Sequence, residues 1–419
     1  MKSPFSCDVL VVGGGPAGLA AATGLREEGI DNVVLIDREK KAGGIPRQCF
    51  HTGFGLFDFK KVLSGPKYAE THLRRARKAG VVIRTECTAM DWWNRDAWHG
   101  VRVTSPLGLQ EFEARAVLLA TGCRERPRTA RVIPGTRPDG IYTTNALQQW
   151  VHLHHHKPGD TAVVVGAEHV SYSAVMTLQE AGTRVAAMVT EHSKGQTYGP
   201  AHWWIAARKR VPLYTRASVA NIMGTVRVTG VEIQTPSGTC TIDCDTVVFT
   251  GDWIPDHEFC RTGSVPLNPF TKGPDVDPAL RTLAPGVFAA GNLLRGAETA
   301  DTASLEGRHA ARSIADYLSG QPDWPGETQS VQFDVRSPIQ WVSPTRIALD
   351  GTPPPRNRFT FRVDRVCEPG RVTITQDGRT LCEKPFRCLV PNRWYSIRAG
   401  IWVDRARGGT PLTMTLVEK

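Results

Sequence analysis

The glycine-rich stretch Gly13-Gly14-Gly15-Pro16-Ala17-Gly18 constrains the fold of this chain more than any other feature of its sequence. A buried-strand run, Asp8–Val12, precedes it, and a helical pattern over Pro16–Glu28 follows it. In a G-x-G-x-x-G loop the first glycine permits a tight turn and the second lets the backbone approach a pyrophosphate. The third lets the helix pack closely on the strand. The sequence therefore predicts a Rossmann-type unit that holds a dinucleotide at a helix N-terminus.

A carboxylate follows the next predicted strand at the distance that such a site requires. The strand Val33–Ile36 ends in Asp37, about twenty residues beyond the loop, where a carboxylate can accept both ribose hydroxyls of an adenosine. We expect Arg38, the next residue, to belong to the same site. This pattern predicts an adenine dinucleotide without distinguishing FAD from NAD.

Two later segments distinguish the two cofactors. The apolar run Ala116–Leu119 continues into Ala120-Thr121-Gly122, and the strand run Thr282–Ala290 closes in Gly291-Asn292 before a helix expected from about Ser304. These segments resemble the flavoproteins of the pyridine nucleotide-disulfide reductase superfamily. In that superfamily A-T-G closes the first FAD half and A-A-G-D contacts the ribityl chain. The resemblance implies FAD, with the Asn amide replacing the acid as a hydrogen-bonding group.

The same superfamily places a second dinucleotide domain inside the first. Here "VVVGAEHVSYSAVMTLQEAG" (163–182) has the strand, loop and helix, but Glu168 replaces the second glycine and Ser171 the third. The Cβ and the negative charge of Glu168 oppose binding of the NAD(P)H pyrophosphate. Ser171 is small enough to preserve the packing of the helix on the strand. Glu191 ends the next strand, Arg184–Thr190, and leaves the binding of another nucleotide open. We predict a lost or altered coenzyme site on a retained scaffold.

These features predict an α/β fold of two nested Rossmann-like dinucleotide-binding domains, glutathione-reductase-like, with a small C-terminal β-rich domain. The expected segments are 1–126 (first half of the FAD-binding domain), 127–250 (inserted domain), 251–320 (second FAD half) and 330–419 (β-rich domain). A Pro-rich linker, Gln321–Gly326, precedes the last segment. That segment contains "RVTITQDGRTLCE", a predicted hairpin with Asp377-Gly378 at its turn.

Within the stretch "KKAGGIPRQCFHTGFG", Gly43-Gly44 and the turn to His51 are expected to line the isoalloxazine pocket, because they follow Asp37. Disulfide reductases carry a C-x-x-x-x-C pair in this region, whereas this chain has the single Cys49. A single thiol cannot cycle between dithiol and disulfide without a partner. His51 is the candidate general acid or base, Cys49 is a candidate neighbour of the flavin, and Gly44 belongs to the expected cofactor site.

Three separated stretches narrow the resemblance further. They are "GGIPRQCFHTGFGLFDFKKVLSGPKYA" (43–69), "ATGCRERPR" (120–128) and "VVGAEHVSYSA" (164–174). Together they resemble the FAD-binding α subunits of heteromeric bacterial dehydrogenases of the opine oxidase, hydroxyproline dehydrogenase and hydrogen cyanide synthase type. The resemblance implies a second, β-type flavoprotein subunit, in some cases a small iron–sulfur protein, and an amine or amino-acid substrate.

No metal site is expected. Those α subunits usually carry a [2Fe-2S] module with four thiolates, but beyond the linker this chain has only Cys367, Cys382 and Cys388. In the run His152-Leu153-His154-His155-His156 only the first and last histidines share a helix face, which predicts a solvated loop-end cluster. The adjacent tryptophans Trp92-Trp93 and Trp203-Trp204 are interpreted as packing residues.

Composition excludes several functional classes. The chain has 419 residues and a formal charge of +10, but its Lys and Arg residues are dispersed, which disfavours nucleic acid. No apolar run has the length of a membrane span, so a cytoplasmic protein is expected. Two alternatives to the heteromeric dehydrogenase stay open: a self-sufficient NAD(P)H-dependent flavin oxidoreductase, and a non-catalytic assembly subunit stabilised by FAD.

Overall fold

Continuous apolar strand runs place a largely parallel sheet at the N-terminal end of the chain. The computed structural model describes residues 4–95, 98–197, 211–320, 324–326 and 329–418. The first strands and helices, in chain order, are β1 (Phe5–Val12), α1 (Pro16–Glu27), β2 (Val33–Ile36), β3 (Thr52–Phe54), β4 (Leu63–Ser64), α2 (Gly65–Lys78), β5 (Val82–Arg84), β6 (Thr88–Arg95), β7 (Trp98–Ser105) and β8 (Gly108–Leu119). The sheet order is β5-β2-β1-β8-β7-β6, and β3 and β4 form a separate hairpin. The β1–β2 and β1–β8 pairs are parallel, so β1 lies between two parallel neighbours and is buried, as its Val/Leu sequence requires.

A second parallel sheet follows, with a small antiparallel sheet beside it. Its elements are β9 (Cys123–Glu125), β10 (Ile141–Thr143), α3 (Thr144–Gln148), β11 (Thr161–Val165), α4 (His169–Glu180), β12 (Arg184–Thr190), β13 (Leu213–Thr215), β14 (Ser218–Gly224), β15 (Val228–Thr235), β16 (Gly238–Asp243) and β17 (Thr246–Phe249). The parallel order is β10-β17-β11-β12-β13, and β14, β15 and β16 form the antiparallel sheet.

The chain then returns to the first sheet along a strand that pairs with the strand on which it left. The elements here are β18 (Trp253–Pro255), α5 (Glu258–Thr262), β19 (Val287–Ala289) and α6 (Ala300–Leu318). Strand β18 pairs with β9, the strand on which the chain left, and β19 adds to the first sheet beside β8. Small residues let α6 pack closely on α1, since a Cβ on Gly307 would lie 2.1 Å from the Ala17 carbonyl oxygen.

The last segment is a two-sheet β unit with its own core. Its elements are β20 (Ser330–Val335), β21 (Ile339–Ser343), β22 (Arg346–Ala348), β23 (Arg358–Val363), β24 (Gly370–Gln376), β25 (Arg379–Phe386), β26 (Tyr395–Arg398), α7 (Ile401–Asp404) and β27 (Leu412–Glu418). The sheet orders are β22-β20-β27-β24-β25 and β21-β23-β26. The core contains Phe333, Phe359, Phe361 and Trp402.

The structure confirms several strands and helices predicted from sequence and corrects others. The bounds of β2 and β12 are as predicted, and Asp377 and Gly378, both with positive φ, form the turn between β24 and β25. Helix α6 begins at Ala300 rather than near Ser304, because the Thr299 hydroxyl caps it by accepting a hydrogen bond from the Thr302 amide.

The run "TCTIDCDTVVF", whose alternating residues are typical of one strand, forms parts of two strands, β16 and β17, in different sheets. The chain breaks between them because Asp245 turns back to accept the amides of Asp160 and Thr161. The predicted strand run Thr282–Ala290 is strand only over β19.

The overall fold class is as predicted: two Rossmann-like units followed by a small β-rich unit. Trp92 is buried, in agreement with its interpretation as a packing residue. Trp203 and Trp204 lie outside the described residues. None of the helices in the described ranges combines the length and the apolar character needed to cross a membrane.

Candidate functional site

The expected cofactor residues meet at one edge of the first sheet. Strands β1, β2, β8 and β19 run parallel to one another, and Gly13, Asp37, Ala120 and Gly291 follow their carboxyl ends. The Ala120 amide donates to the Val12 carbonyl at 2.8 Å, and the Ala290 amide donates to the Leu119 carbonyl at 3.0 Å. Ligands of open α/β sheets bind at this edge.

The first and third glycines of the intact loop are required by the protein itself. Gly13 has φ +110°, and a Cβ there would lie 2.4 Å from the Ala120 carbonyl oxygen. A Cβ on Gly18 would lie 1.9 Å from the Gly13 carbonyl oxygen. Both glycines allow strand, loop and helix to approach as closely as they do.

The second glycine, in contrast, borders open space. The nearest heavy atom to a Cβ built on Gly15 is the Gly44 Cα, 3.9 Å away. Gly15 is also the N-cap of α1, and no described side chain hydrogen-bonds to that helix terminus. The first turn, which begins at Pro16, contains no acidic residue. Free backbone N–H groups and the helix dipole thus face a space that suits a pyrophosphate.

Asp37 is fixed against this loop. Its Oδ2 accepts the Gly14 amide at 2.7 Å and its Oδ1 accepts the Glu39 amide at 2.8 Å. Burial raises the pKa of the Asp37 carboxyl, against the opposing effect of these amides. Each oxygen retains a lone pair for a further donor, such as a ribose hydroxyl.

Gly14 is a second-position residue of the loop that the G-x-G-x-x-G pattern does not specify, and it packs against Asp37. A Cβ on Gly14 would lie 2.5 Å from Asp37 Oδ2. The run of three consecutive glycines, with Gly14 in the middle, was the available signal for this contact.

An open cleft adjoins the end of β2. It has a volume of about 390 Å³, and its lining includes Arg38, Glu39, Lys40, Glu86 and Thr88. The Arg38 guanidinium is largely exposed and lies 3.1 Å from Asp256 Oδ2. The cleft begins at Arg38, the residue after Asp37, and its lining is mostly polar and charged.

The Gly43-Gly44 turn packs directly on the glycine-rich loop. Both glycines have positive φ, +132° and +64°, and the Gly43 amide donates to the Gly14 carbonyl at 2.7 Å. A Cβ on Gly44 would lie 2.8 Å from the Gly15 Cα. The segment that follows Asp37 is therefore held against the loop, as expected for part of one site.

A buried ion pair holds the Gly291-Asn292 turn. The Gly291 amide donates to Glu306 Oε2 at 3.2 Å, while Glu306 Oε1 accepts a hydrogen bond from Arg295. The Asn292 Oδ1 accepts the Glu298 amide at 3.1 Å, so this side chain also organises the loop before α6. Sequence reasoning missed Glu306 and Arg295, because a charged pair on a helix and a loop carries no distinctive motif.

Thr121 and Gly122 tie the first sheet to the returning chain. The Thr121 hydroxyl donates to the Asp256 carbonyl at 2.7 Å, and the Asp256 amide donates to the Gly122 carbonyl at 2.9 Å. A Cβ on Gly122 would meet no atom within 4 Å, although its φ is +81°.

Cys49 is a buried thiol. Its Sγ lies 3.3 Å from Gln148 Oε1 and 3.5 Å from the Ile45 carbonyl oxygen. Burial raises the pKa of the Cys49 thiol to about 12, so the group is protonated at neutral pH. A buried neutral thiol is a poor nucleophile.

His51 lies near the surface of the same segment. Its Nδ1 is 2.9 Å from the Thr52 carbonyl oxygen, and its ring packs against Phe54. A carbonyl only accepts, so Nδ1 carries the proton in the neutral ring and Nε2 is left as an acceptor.

The second loop closes its own helix terminus. Glu168 is the N-cap of α4 and forms a capping box with Ser171: its carboxylate accepts the Ser171 amide, and its own amide donates to the Ser171 hydroxyl at 3.1 Å. Glu168 Oε2 also accepts the Ala167 amide at 3.1 Å. The carboxylate, which is buried, thus takes N–H groups that a pyrophosphate would need.

The chain also covers this loop from outside. The Gln196 amide donates to the Ala167 carbonyl at 2.9 Å, and the Thr197 hydroxyl lies 2.6 Å from His169 Nδ1. Arg393 of the β-rich unit donates to the carbonyls of Gln196, at 2.6 Å, and Thr197. The contact from the third unit has no signal in the sequence, since it joins residues almost two hundred positions apart.

The interpretation of the histidine run as a solvated cluster was wrong for its first member. His152 is buried, with Nδ1 2.5 Å from the Gln48 carbonyl oxygen and Nε2 3.1 Å from Glu180. Its ring stacks on Phe50 at 4.2 Å. The residue joins the segment after Gly44 to the second Rossmann unit. Within the described ranges no group of three or more His, Cys, Asp or Glu side chains is arranged to hold a metal ion.

A family model described as pyridine nucleotide-disulphide oxidoreductase matches residues 7–307, nearly three quarters of the chain. The chain belongs to this family. As a pyridine nucleotide-disulphide oxidoreductase it is an oxidoreductase, and proteins of this family are typically flavoproteins.

Curated relatives of this oxidoreductase include subunits of larger enzymes. The alpha subunit of the sarcosine oxidase of Rhizobium meliloti is 27% identical over 82% of the chain, which spans about a third (34%) of that relative's length. An opine oxidase subunit of the same organism is 25% identical over 75% of the chain and 72% of the relative.

Solved structures support the fold alone. The thioredoxin reductase of T. acidophilum superposes with a TM-score of 0.65 at 22% identity, over 74% of this chain and 98% of that one. The L-proline dehydrogenase of P. horikoshii gives a TM-score of 0.56 at 18% identity, over 76% and 57%.

Proposed function

We propose that this chain binds FAD at the first glycine-rich loop and acts as the FAD-binding α subunit of a heteromeric dehydrogenase. The observation that carries the proposal is the contrast between two helix termini. At α1 the N-cap is a glycine that borders open space, and at α4 the N-cap is a glutamate that satisfies the terminus itself. One Rossmann unit has room for a dinucleotide pyrophosphate, and the other has filled the equivalent position.

The proposed site uses this chain's residues as follows. Backbone N–H groups at the start of α1 hold the pyrophosphate, and Asp37 holds the adenosine ribose. The turns at Gly44, Gly122 and Gly291, with Asn292, surround the remainder of the cofactor. FAD, when bound, supplies an acceptor for an electron pair. We propose that His51 accepts a proton at Nε2 and that Cys49 is a neutral neighbour of the flavin.

The proposed substrate is an amine, an amino acid or an opine, oxidised in a cytoplasmic complex. Relatives named as sarcosine and opine oxidase subunits support this substrate class. Cys49 is the single thiol of the Gly43–Gly55 stretch, which disfavours dithiol–disulfide chemistry there. The proposed partner is a second flavoprotein subunit of the β type, with a small iron–sulfur protein as an optional third component. The functional units are proposed to be 1–126 with 251–320, 127–250, and 330–419.

The test is cofactor content followed by turnover. Wild-type protein should purify yellow and release one FAD per chain, whereas Asp37→Ala should be largely apo because a ribose ligand is removed. Oxidation of an amine or amino acid should require the second flavoprotein. A folded wild-type chain that takes up no FAD would overturn the proposal, and amine turnover by the chain alone would overturn its heteromeric part.

A further inference from the structure

Three large apolar side chains are exposed in the β3–β4 hairpin. They are Leu56, Phe57 and Val62, with exposed fractions from 49% to 62%. The hairpin follows the segment that contains Gly44 and Cys49, and it precedes α2. We call these three residues the apolar face. Concentrated exposed apolar surface of this kind marks interaction sites in soluble proteins.

The one acidic residue of the hairpin is buried, although its neighbours Leu56 and Phe57 are exposed. The Asp58 side chain is fully buried. It accepts hydrogen bonds from Tyr68 at 2.9 Å, His72 at 2.8 Å and Ser304 at 2.6 Å, and from Arg308. The buried carboxylate is fully hydrogen-bonded, whereas the neighbouring Leu and Phe side chains are left exposed to water, which is unfavourable for an isolated chain. A second surface that covers the apolar residues would offset this arrangement.

The same hairpin is held in a fixed shape. Asp301, in the first turn of α6, accepts the amides of Gly55 and Phe57, each at 2.7 Å. The Gly65 amide donates to the Cys49 carbonyl at 3.0 Å and closes the base of the loop. The apolar face is therefore presented by a preorganised loop, which lowers the entropy lost on docking to a shaped surface.

The exposed charge of the β3–β4 hairpin itself has one sign. Asp58 is the only acidic residue from position 40 to 69, and it is buried. Lys60, Lys61 and Lys67 are exposed, and among the described residues none of the three has a salt-bridge partner. The border of the apolar face is therefore basic. A complementary partner surface would have an apolar centre and an acidic border.

We propose that the apolar face is the docking surface for the second redox protein of the complex, which would carry an apolar, acid-bordered patch. This inference rests on the proposed function. The face adjoins the proposed FAD site through Asp301, which accepts the Gly55 and Phe57 amides and lies in the helix that follows the Gly291-Asn292 turn. A partner bound here would place its own redox group near that site. A fixed, shaped loop fits a protein surface, whereas a second copy of this chain would bring a like-charged border into contact.

The experiment places a photoreactive residue on the face in the full-length chain within its own host. Phe57→p-benzoylphenylalanine is compared with the same change at Leu107, which is 82% exposed in the turn between β7 and β8. On irradiation residue 57 should crosslink to one flavin- or iron–sulfur-containing protein, and residue 107 should not. Lys60→Glu combined with Lys61→Glu should lower that yield at least about fivefold.

The captured protein is then identified and purified, and its electron exchange with the FAD of this chain is measured. Rapid exchange with wild type and slow exchange with Lys60→Glu/Lys61→Glu support the docking surface. Crosslinks to a second copy, to lipid, to nothing, or equally from residue 107 overturn it, as does flotation with vesicles of phosphatidylcholine and phosphatidylglycerol. The FAD content of each variant separates the two proposals: loss of FAD from the wild type contradicts the proposed function, whereas retained FAD without a crosslink contradicts only the docking surface.

Discussion

At the scale of single residues, the glycines of the first loop have separable roles. Gly18 is required for folding, because its Cβ position coincides with the Gly13 carbonyl oxygen. A Cβ on Gly15, in contrast, would disturb no contact among the described residues. A glycine that the fold does not need, at the terminus of an uncapped helix, supports the proposed pyrophosphate site.

Gly15→Ala should therefore weaken FAD binding about tenfold or more while the protein stays folded. Gly400→Ala is the matched control, since Gly400 is also an N-cap glycine whose Cβ would meet nothing within 4 Å. Each substitution should lower the free energy of unfolding by at most about 1 kcal/mol, the difference between glycine and alanine at an N-cap. FAD titration by fluorescence and thermal unfolding separate the two effects. Equal FAD affinity in both variants would place the pyrophosphate elsewhere.

Asp58 predicts a pH dependence of stability. Burial alone would raise its pKa, but hydrogen bonds from His72 and Ser304 outweigh it and lower the pKa of Asp58 from 3.8 to about 2. A lowered native pKa contributes stability above about pH 4 that is lost as the pH falls toward 2. We expect about 1–2 kcal/mol of the free energy of unfolding to disappear over that range.

The measurement is urea unfolding of wild type and Asp58→Asn between pH 5 and pH 2. The variant should lose this part of the pH dependence. Asp316→Asn, on the exposed side of α6, should keep it. If the free energy of unfolding of the wild type depends on pH no more than that of Asp58→Asn, the buried carboxylate does not stabilise the hairpin.

At the scale of elements, the helix termini decide which Rossmann unit is open. Sequence reasoning identified both loops and the significance of Glu168, because glycine spacing has a direct steric meaning. It did not predict that the carboxylate turns inward as a helix cap, or that Gln196 and Arg393 cover the loop, since those contacts depend on tertiary packing. Two other features were missed for the same reason. Helix α6 starts early because Thr299 caps it, and His152 is buried because its ring contacts the Gln48 carbonyl oxygen. The local sequence pattern shows neither contact.

Glu168→Ala should remove the α4 cap. The loss of the N-cap interaction should lower the free energy of unfolding by about 1 kcal/mol. Glu258→Ala, at the first residue of the short helix α5, is the control and should have a smaller effect. Thermal unfolding of the two variants tests the assignment, and a neutral or stabilising Glu168→Ala would contradict the capping role.

At the scale of the whole molecule, the three units are joined around the two loops. Sequence reasoning predicted the nested Rossmann units and the β-rich unit from strand runs, turn residues and glycine spacing. It did not predict how the third unit contacts the other two, where Arg393 holds Thr197 and Arg362 pairs with Glu298 at 2.7 Å. No local pattern specifies such long-range ion pairs. Among the described residues, this architecture leaves the helix terminus at Gly15 open and covers the one at Glu168.

The most direct test of this account is stopped-flow reduction of the FAD-loaded protein by NADH and NADPH under anaerobic conditions. Because the Glu168 carboxylate occupies the N-terminus of α4, reduction should be slow and should not saturate at micromolar coenzyme. A unit charge 4 Å from a phosphate opposes binding by about 1 kcal/mol even in water, and by more when buried. Glu168→Gly should recover part of the coenzyme binding. Rapid, saturable bleaching of the wild-type flavin by either coenzyme would contradict the account.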